Sequence, residues 1–97
     1  MVNEHDEKHG ENRPIAVAVI TPSGTYPNDD DYRRSYGGEI VGHILEKAAI
    51  HLRLTNTTDW EAFVENHPID PNRTFWANHL HEIIEIEWHK KEGGGGA

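Results

Sequence analysis

Cysteine is absent from the 97 residues. That excludes disulfides, thiolate metal sites and any catalytic thiol that holds an acyl group as a thioester. Such a chain can be the group that is transferred but not the enzyme that carries it, and an enzyme is not expected. Long apolar runs are missing as well. None approaches the roughly twenty residues of a membrane helix, and the opening MVNEHDEKHGENRP is acidic and polar where a signal peptide has an apolar core. A cytoplasmic location without a membrane partner is the expectation. Positive charge is scarce, with nine Lys and Arg against seventeen Asp and Glu and a formal net charge of -8. That balance disfavours nucleic acid and anionic surfaces and favours a basic protein partner.

Catalytic and cofactor signatures are also lacking. Gly37-Gly38 stands alone, without a GxGxxG or P-loop frame, and no Ser, His and Asp spacing marks a nucleophilic triad. Eight histidines include His79-x-His81 and the pair His43 and His51, but without cysteine or an HExxH arrangement they read as solvated side chains rather than a metal site. The alternating Glu85 and Glu87 read as charge on the open face of an edge or surface strand, a solubility device rather than an acid-base pair. No cofactor is expected.

What is present fits one small domain, 35% hydrophobic, of a size that buries only about two-thirds of its unfolded surface. Residues 1–13 hold too little apolar surface to offset ordering entropy and are expected to form a flexible acidic leader, the folded domain spanning 14–91. Ile15 to Ile20 is an apolar, β-branched strand stopped by the turn chemistry of Thr21-Pro22-Ser23-Gly24. The return strand begins at Thr25-Tyr26-Pro27, and the acidic run Asn28 to Asp31 leaves it short or displaced toward Tyr32. Ile40, Val41, Ile44, Leu45, Ala48 and Leu52 then recur at helical spacing, which predicts an amphipathic helix from about Gly38 to Leu52.

Beyond the break at Thr55 to Asp59, Trp60, Ala62 and Val64 alternate with Glu61 and Glu65 as a third strand, with Phe63 on the polar side. His67 to Arg73 makes a turn with two prolines, and Thr74 to His81 is irregular, with a short helical turn at Phe75-Trp76-Ala77. Ile84, Ile86 and Trp88 alternate with Glu85 and Glu87 as the last strand. Trp60 and Trp88 are in phase with aliphatic residues and are expected to fill the core, whereas Trp76 is expected to be partly exposed. Residues 92–97 form a flexible tail, Gly93-Gly94-Gly95-Gly96-Ala97 following Glu92.

Strand, strand, helix, strand, strand in about eighty residues is the order of an α+β β-grasp, a small mixed sheet with one helix packed across it. The stretch from Trp60 through Asp70-Pro71-Asn72-Arg73-Thr74, the crossing Trp76 to Leu80, the strand Glu82 to Trp88 and the diglycine Gly93-Gly94 resembles the second half of ubiquitin, with its Asp-x-x-Arg-Thr turn. The whole is most similar to bacterial ubiquitin-like proteins found with their own activating enzyme, conjugating enzyme and metallopeptidase.

The resemblance implies a protein modifier. Its C-terminal glycine is adenylated with ATP by the activating enzyme, passed as a thioester to the conjugating enzyme and joined to target proteins through an isopeptide or ester bond. It also implies that the metallopeptidase first trims Ala97. The site residues are then Gly93, Gly94, Gly95, Gly96 and Ala97, with Lys8 on the leader as the most accessible acceptor for chains. Two departures matter. Glu85 and Glu87 stand where ubiquitin presents an aliphatic patch to receptors, and Lys90-Lys91-Glu92 replaces its arginine-rich stem, so dedicated partners are expected. The alternatives are a β-grasp sulfur carrier ending in a thiocarboxylate, and a noncovalent interaction module with an incidental glycine tail.

Overall fold

The computed structural model describes residues 11–91. Its strands are β1 (Pro14–Thr21), β2 (Gly24–Tyr26), β3 (Arg33–Tyr36), β4 (Trp60–Val64), β5 (His67–Pro68) and β6 (Ile83–Lys90), with one helix, α1 (Val41–Leu52), between β3 and β4. They form a single mixed sheet in the order β2-β1-β6-β4-β5, with β3 also on β1. β1 and β6 run parallel, from Ala16 opposite Ile83 to Ile20 opposite Glu87, and every other pairing is antiparallel. This is the expected α+β β-grasp.

Alternation along the two central strands makes the core. Ile15, Val17 and Val19 of β1 and Ile84, Ile86 and Trp88 of β6 point to one face, where Val41, Ile44, Leu45 and Ala48 of α1 cover them together with Ala62 and Phe75. Ile40 and Leu52, at the ends of the expected stripe, are only half-buried. Trp60 packs edge-on against Trp88 with ring centroids 5.2 Å apart, so both belong to the core region as anticipated, and Trp76 is half-buried.

Four features sharpen or differ from the sequence-based expectation. The return strand is both short and displaced: β2 and β3 lie end to end along β1, interrupted by 27–32. The helix begins at Val41 rather than Gly38, because the residues before it are held in extended pairing. Ile40 bridges Thr74, and the carbonyls of Glu39 and Gly37 accept from the N–H groups of Phe75 and Trp76. His67–Pro68 is a strand, joined to β4 by a two-residue turn in which Glu65 and Asn66 both take positive φ, the geometry that matches strand twist. Finally, of the edge or surface placement expected for the last strand, the edge does not hold: β6 is central, with Glu85 and Glu87 exposed on its open face.

At the other end of the domain, Gly24 has φ of 139°, a conformation that suits glycine, and closes the β1–β2 hairpin. At the N-terminal boundary, Glu11 and Asn12 are helical, and the carbonyls of Glu11 and Arg13 accept from the N–H groups of Gly38 and Gly37.

Ile40 offers no side-chain cap to α1. Two of the orphan N–H groups of the first turn are satisfied from a distant loop instead: Val41 donates to the Arg73 carbonyl (3.0 Å) and Gly42 to that of Pro71 (2.8 Å). The Asp70–Thr74 turn that supplies them is itself braced. Asn78 donates to the Asp70 and Thr74 carbonyls and accepts from the Asp70 N–H.

A Cβ on Gly42 would stand 3.0 Å from the Pro71 carbonyl oxygen. Gly42→Ala should therefore destabilise the domain, where the same change in an open helix gains about 0.5–1 kcal/mol. Phe75→Ala, at a fully buried position, should cost about 3–5 kcal/mol, whereas Ile50→Ala, at 77% exposure, should stay within about 0.5 kcal/mol. Urea unfolding of the three variants measures all of these.

Candidate functional site

The fold brings together two features on one side of the molecule: the outer face of the sheet and the root of the C-terminal tail. Residues of β1 and β6 that do not enter the core must point outward. On β1 these are Ala16, Ala18 and Ile20, and on β6 they are Ile83, Glu85, Glu87 and His89. The sequence expectation that Glu85 and Glu87 face out holds, and both are exposed. Ile83, 68% exposed, shares their face, and Ile20 is 37% exposed. Sequence reading passed over Ile83, although its two-residue spacing from Glu85 was a visible signal.

The interruption between β2 and β3 contributes to this face. Asn28 Oδ1 accepts from the N–H groups of Asp30 and Asp31, and its Nδ2 donates to Asp31, so the acidic run is held as a defined turn. Tyr32 then donates its hydroxyl to Oε2 of Glu85 at 2.7 Å, linking the loop to the central strand. Ala18, an outward residue of β1, is buried, and alanines at 16 and 18 keep this strip of the face low. The hydrogen bond to Glu85 holds the Tyr32 phenol above its ordinary ionisation range, with desolvation and the carboxylate charge adding to it.

At the other end of the face the last strand is anchored. Trp60 pairs with Lys90, and Glu61 with His89. The Lys91 ammonium lies 3.8 Å from a Glu61 carboxylate oxygen, an exposed pair of small energetic weight. His89 stacks nearly parallel on Phe63, 5.4 Å between ring centroids. Beside this root is an open groove of about 560 Å³, lined by Ile20, Pro22, Glu87, His89, Lys90 and Lys91 among others. The tail residues Gly93, Gly94, Gly95, Gly96 and Ala97, and the acceptor Lys8, lie outside the described residues.

Among the described residues no three His, Asp or Glu side chains come together as a metal site. His81 and His51 instead meet Trp76 and Tyr26 edge-on, while His79 is exposed. Nor is any helix there long and apolar enough to cross a membrane.

No protein-family profile matches the chain, and no curated protein matches it in sequence. Solved structures do match in shape. One, described as molecular mimicry of SUMO that promotes DNA repair, superposes with a TM-score of 0.62 at 11% identity over 84% of this chain and 96% of the other. A de novo design based on ubiquitin gives 0.62 at 12% identity over 87% and 96%. The N-terminal ubiquitin-like domain of the 4931431F19Rik protein gives 0.59 at 11% identity over 86% and 80%. The chain therefore has the ubiquitin-like fold, shared at identities where shape alone is conserved.

The Tyr32–Glu85 bond makes a measurable prediction. The phenol is held protonated more tightly in the native state than in the unfolded one. Its contribution to stability is therefore complete below the unfolded pKa of about 10 and is lost as pH rises through the native value. In Glu85→Gln the phenol should ionise at lower pH than in the parent, read by ultraviolet difference titration against Tyr32→Phe. Unchanged titration would remove Glu85 as the cause.

Proposed function

We propose that this protein is a ubiquitin-like modifier, activated at a C-terminal glycine by ATP-dependent adenylation and joined to target proteins by a dedicated bacterial cascade. The observation that carries this reading is the root of the tail. The last eight-residue strand is central in the sheet, its final residue Lys90 is paired with Trp60, and the sequence turns to four consecutive glycines two residues beyond Lys91. A rigid stem followed by residues without Cβ suits delivery of a carboxylate through a narrow channel, because the stem fixes the point of departure and the glycines meet no steric barrier.

In this reading the protein contributes the carboxylate, its reach and a docking face. The activating enzyme brings ATP and the attacking thiol. A carboxylate resists nucleophiles until its oxygen is joined to the α-phosphate of ATP with loss of pyrophosphate. The adenylate then passes its acyl group to the enzyme thiolate with loss of AMP, and the thioester goes on to the conjugating enzyme and to an amine or hydroxyl of the target. A metallopeptidase removes Ala97 beforehand, since an added residue displaces the carboxylate and an error of about 1 Å can cost on the order of a hundredfold in rate.

The test incubates three forms with the cognate activating enzyme and ATP: full length, ended at Gly96, and ended at Gly96 with Gly95→Val and Gly96→Val. The Gly96-ended form should yield thioester, and the other two should not. Equal thioester from the Ala97 form would refute the trimming step, and thioester from the valine form would refute the role of the glycines. Lys8→Arg should remove much of any self-linked chain, as read from digest peptides.

A further inference from the structure

Ile83 opens β6, paired with Ala16 of β1 on one side and lying beyond the stretch that pairs with β4, and 68% of it is exposed. Grooves flank it. One of about 550 Å³ is lined by Pro14, Ala16, Tyr32, Arg34 and Glu82 with Ile83 itself, and one of about 250 Å³ by Val64, Glu65, Glu85 and Glu87 with Ile83. The surface is an apolar ridge between two shallow channels. Its charge is one-sided, since Glu65, Glu82, Glu85 and Glu87 line the channels and Arg34 is the one cation among these residues.

Among the described residues the only ion pair joins Lys91 to Glu61, so neither Glu85 nor Glu87 is in an ion pair there, although Glu87 also borders the groove that Lys90 and Lys91 line. Tyr32 occupies Oε2 of Glu85 and fixes that side chain in place. Ile83, Glu85 and Glu87 recur every second residue on one face, so they stand at intervals of about 7 Å.

We propose that this outer face is a docking surface for a protein partner that lays an extended segment across it, an apolar residue against Ile83 and lysine or arginine at the two following alternate positions against Glu85 and Glu87. An extended chain repeats its side chains at the same interval as β6, so three contacts register at once. Charge-assisted bonds to the two carboxylates supply direction, and burial of Ile83 supplies area. The proposal goes beyond the chemistry of the tail and stands whether or not the C-terminus is ever activated.

The probe is the peptide Leu-Ser-Lys-Ser-Lys, titrated to millimolar concentration into the ¹⁵N-labelled full-length chain. The control is Leu-Ser-Glu-Ser-Glu. Shifts should be largest at Ile83, Glu85, Glu87 and Tyr32 and absent with the acidic peptide. Glu85→Lys with Glu87→Lys should abolish them, and Ile83→Ser should weaken binding several-fold. Both sets of changes are at exposed positions, and an otherwise unchanged spectrum verifies the fold. The proposal is overturned by no response at millimolar peptide, by equal shifts with the control, by shifts centred on Glu46 and Lys47 of the helix, or by binding that survives the double charge reversal. Concentration-dependent shifts at the same residues without peptide would assign the face to a second copy of the chain and overturn it equally.

Discussion

The parallel pairing of β1 with β6 is the constraint on which the rest depends. It joins the first and last strands of the described domain, and no hairpin can make such a pair. The intervening chain must cross over, and α1 is laid against the inner face in doing so. Once the two strands are side by side, their apolar residues form one continuous inner surface from Ile15 to Trp88. The same pairing sets β6 in the interior of the sheet, its first half against β1 and its second half against β4, the two pairings meeting at Glu87. The last residues of the stem, Trp88 to Lys90, continue past β1 and are held by β4 alone.

The two faces of that sheet have opposite characters for a simple reason. With a side-chain period of two, every residue that enters the core commits its neighbours to the outside. Inside are Val17, Val19, Ile84, Ile86 and Trp88; outside are Ala16, Ala18, Ile83, Glu85 and Glu87. The small residues of β1 leave a low strip, and the acidic interruption between β2 and β3 brings Tyr32 to Glu85. The same arrangement surrounds Ile83 with carboxylates instead of a continuous aliphatic surface.

A second long-range dependence joins the helix to the loop after β5. α1 starts without a capping side chain and relies on the carbonyls of Pro71 and Arg73. Those carbonyls are positioned by the Asp70–Thr74 turn and by Asn78. Phe75 sits at the junction, fully buried, with its N–H donated to Glu39. The irregular segment is therefore a structural element in its own right, tying the start of the helix to the second half of the sheet.

Much of the fold was legible in the sequence wherever the signal was local. The period of two in Ile84, Ile86 and Trp88, the helical stripe of Val41, Ile44, Leu45 and Ala48, and the turn residues around Pro22 and Gly24 each encode their own element. The outward aspect of Glu85 and Glu87 follows from the same alternation. The start of α1 at Val41 was not legible, because the extended pairing of Ile40 with Thr74 and of Glu39 with Phe75 overrides a pattern that would otherwise allow a helix from Gly38. The split of the second strand was only half visible, since Asn28 to Asp31 announces a break but not that pairing resumes at Arg33 along β1. The Tyr32–Glu85 hydrogen bond and the central place of β6 belong to the tertiary structure alone. They arise from contacts between residues far apart in sequence, 53 positions for Tyr32 and Glu85, and a one-dimensional periodicity does not specify which strand lies beside which.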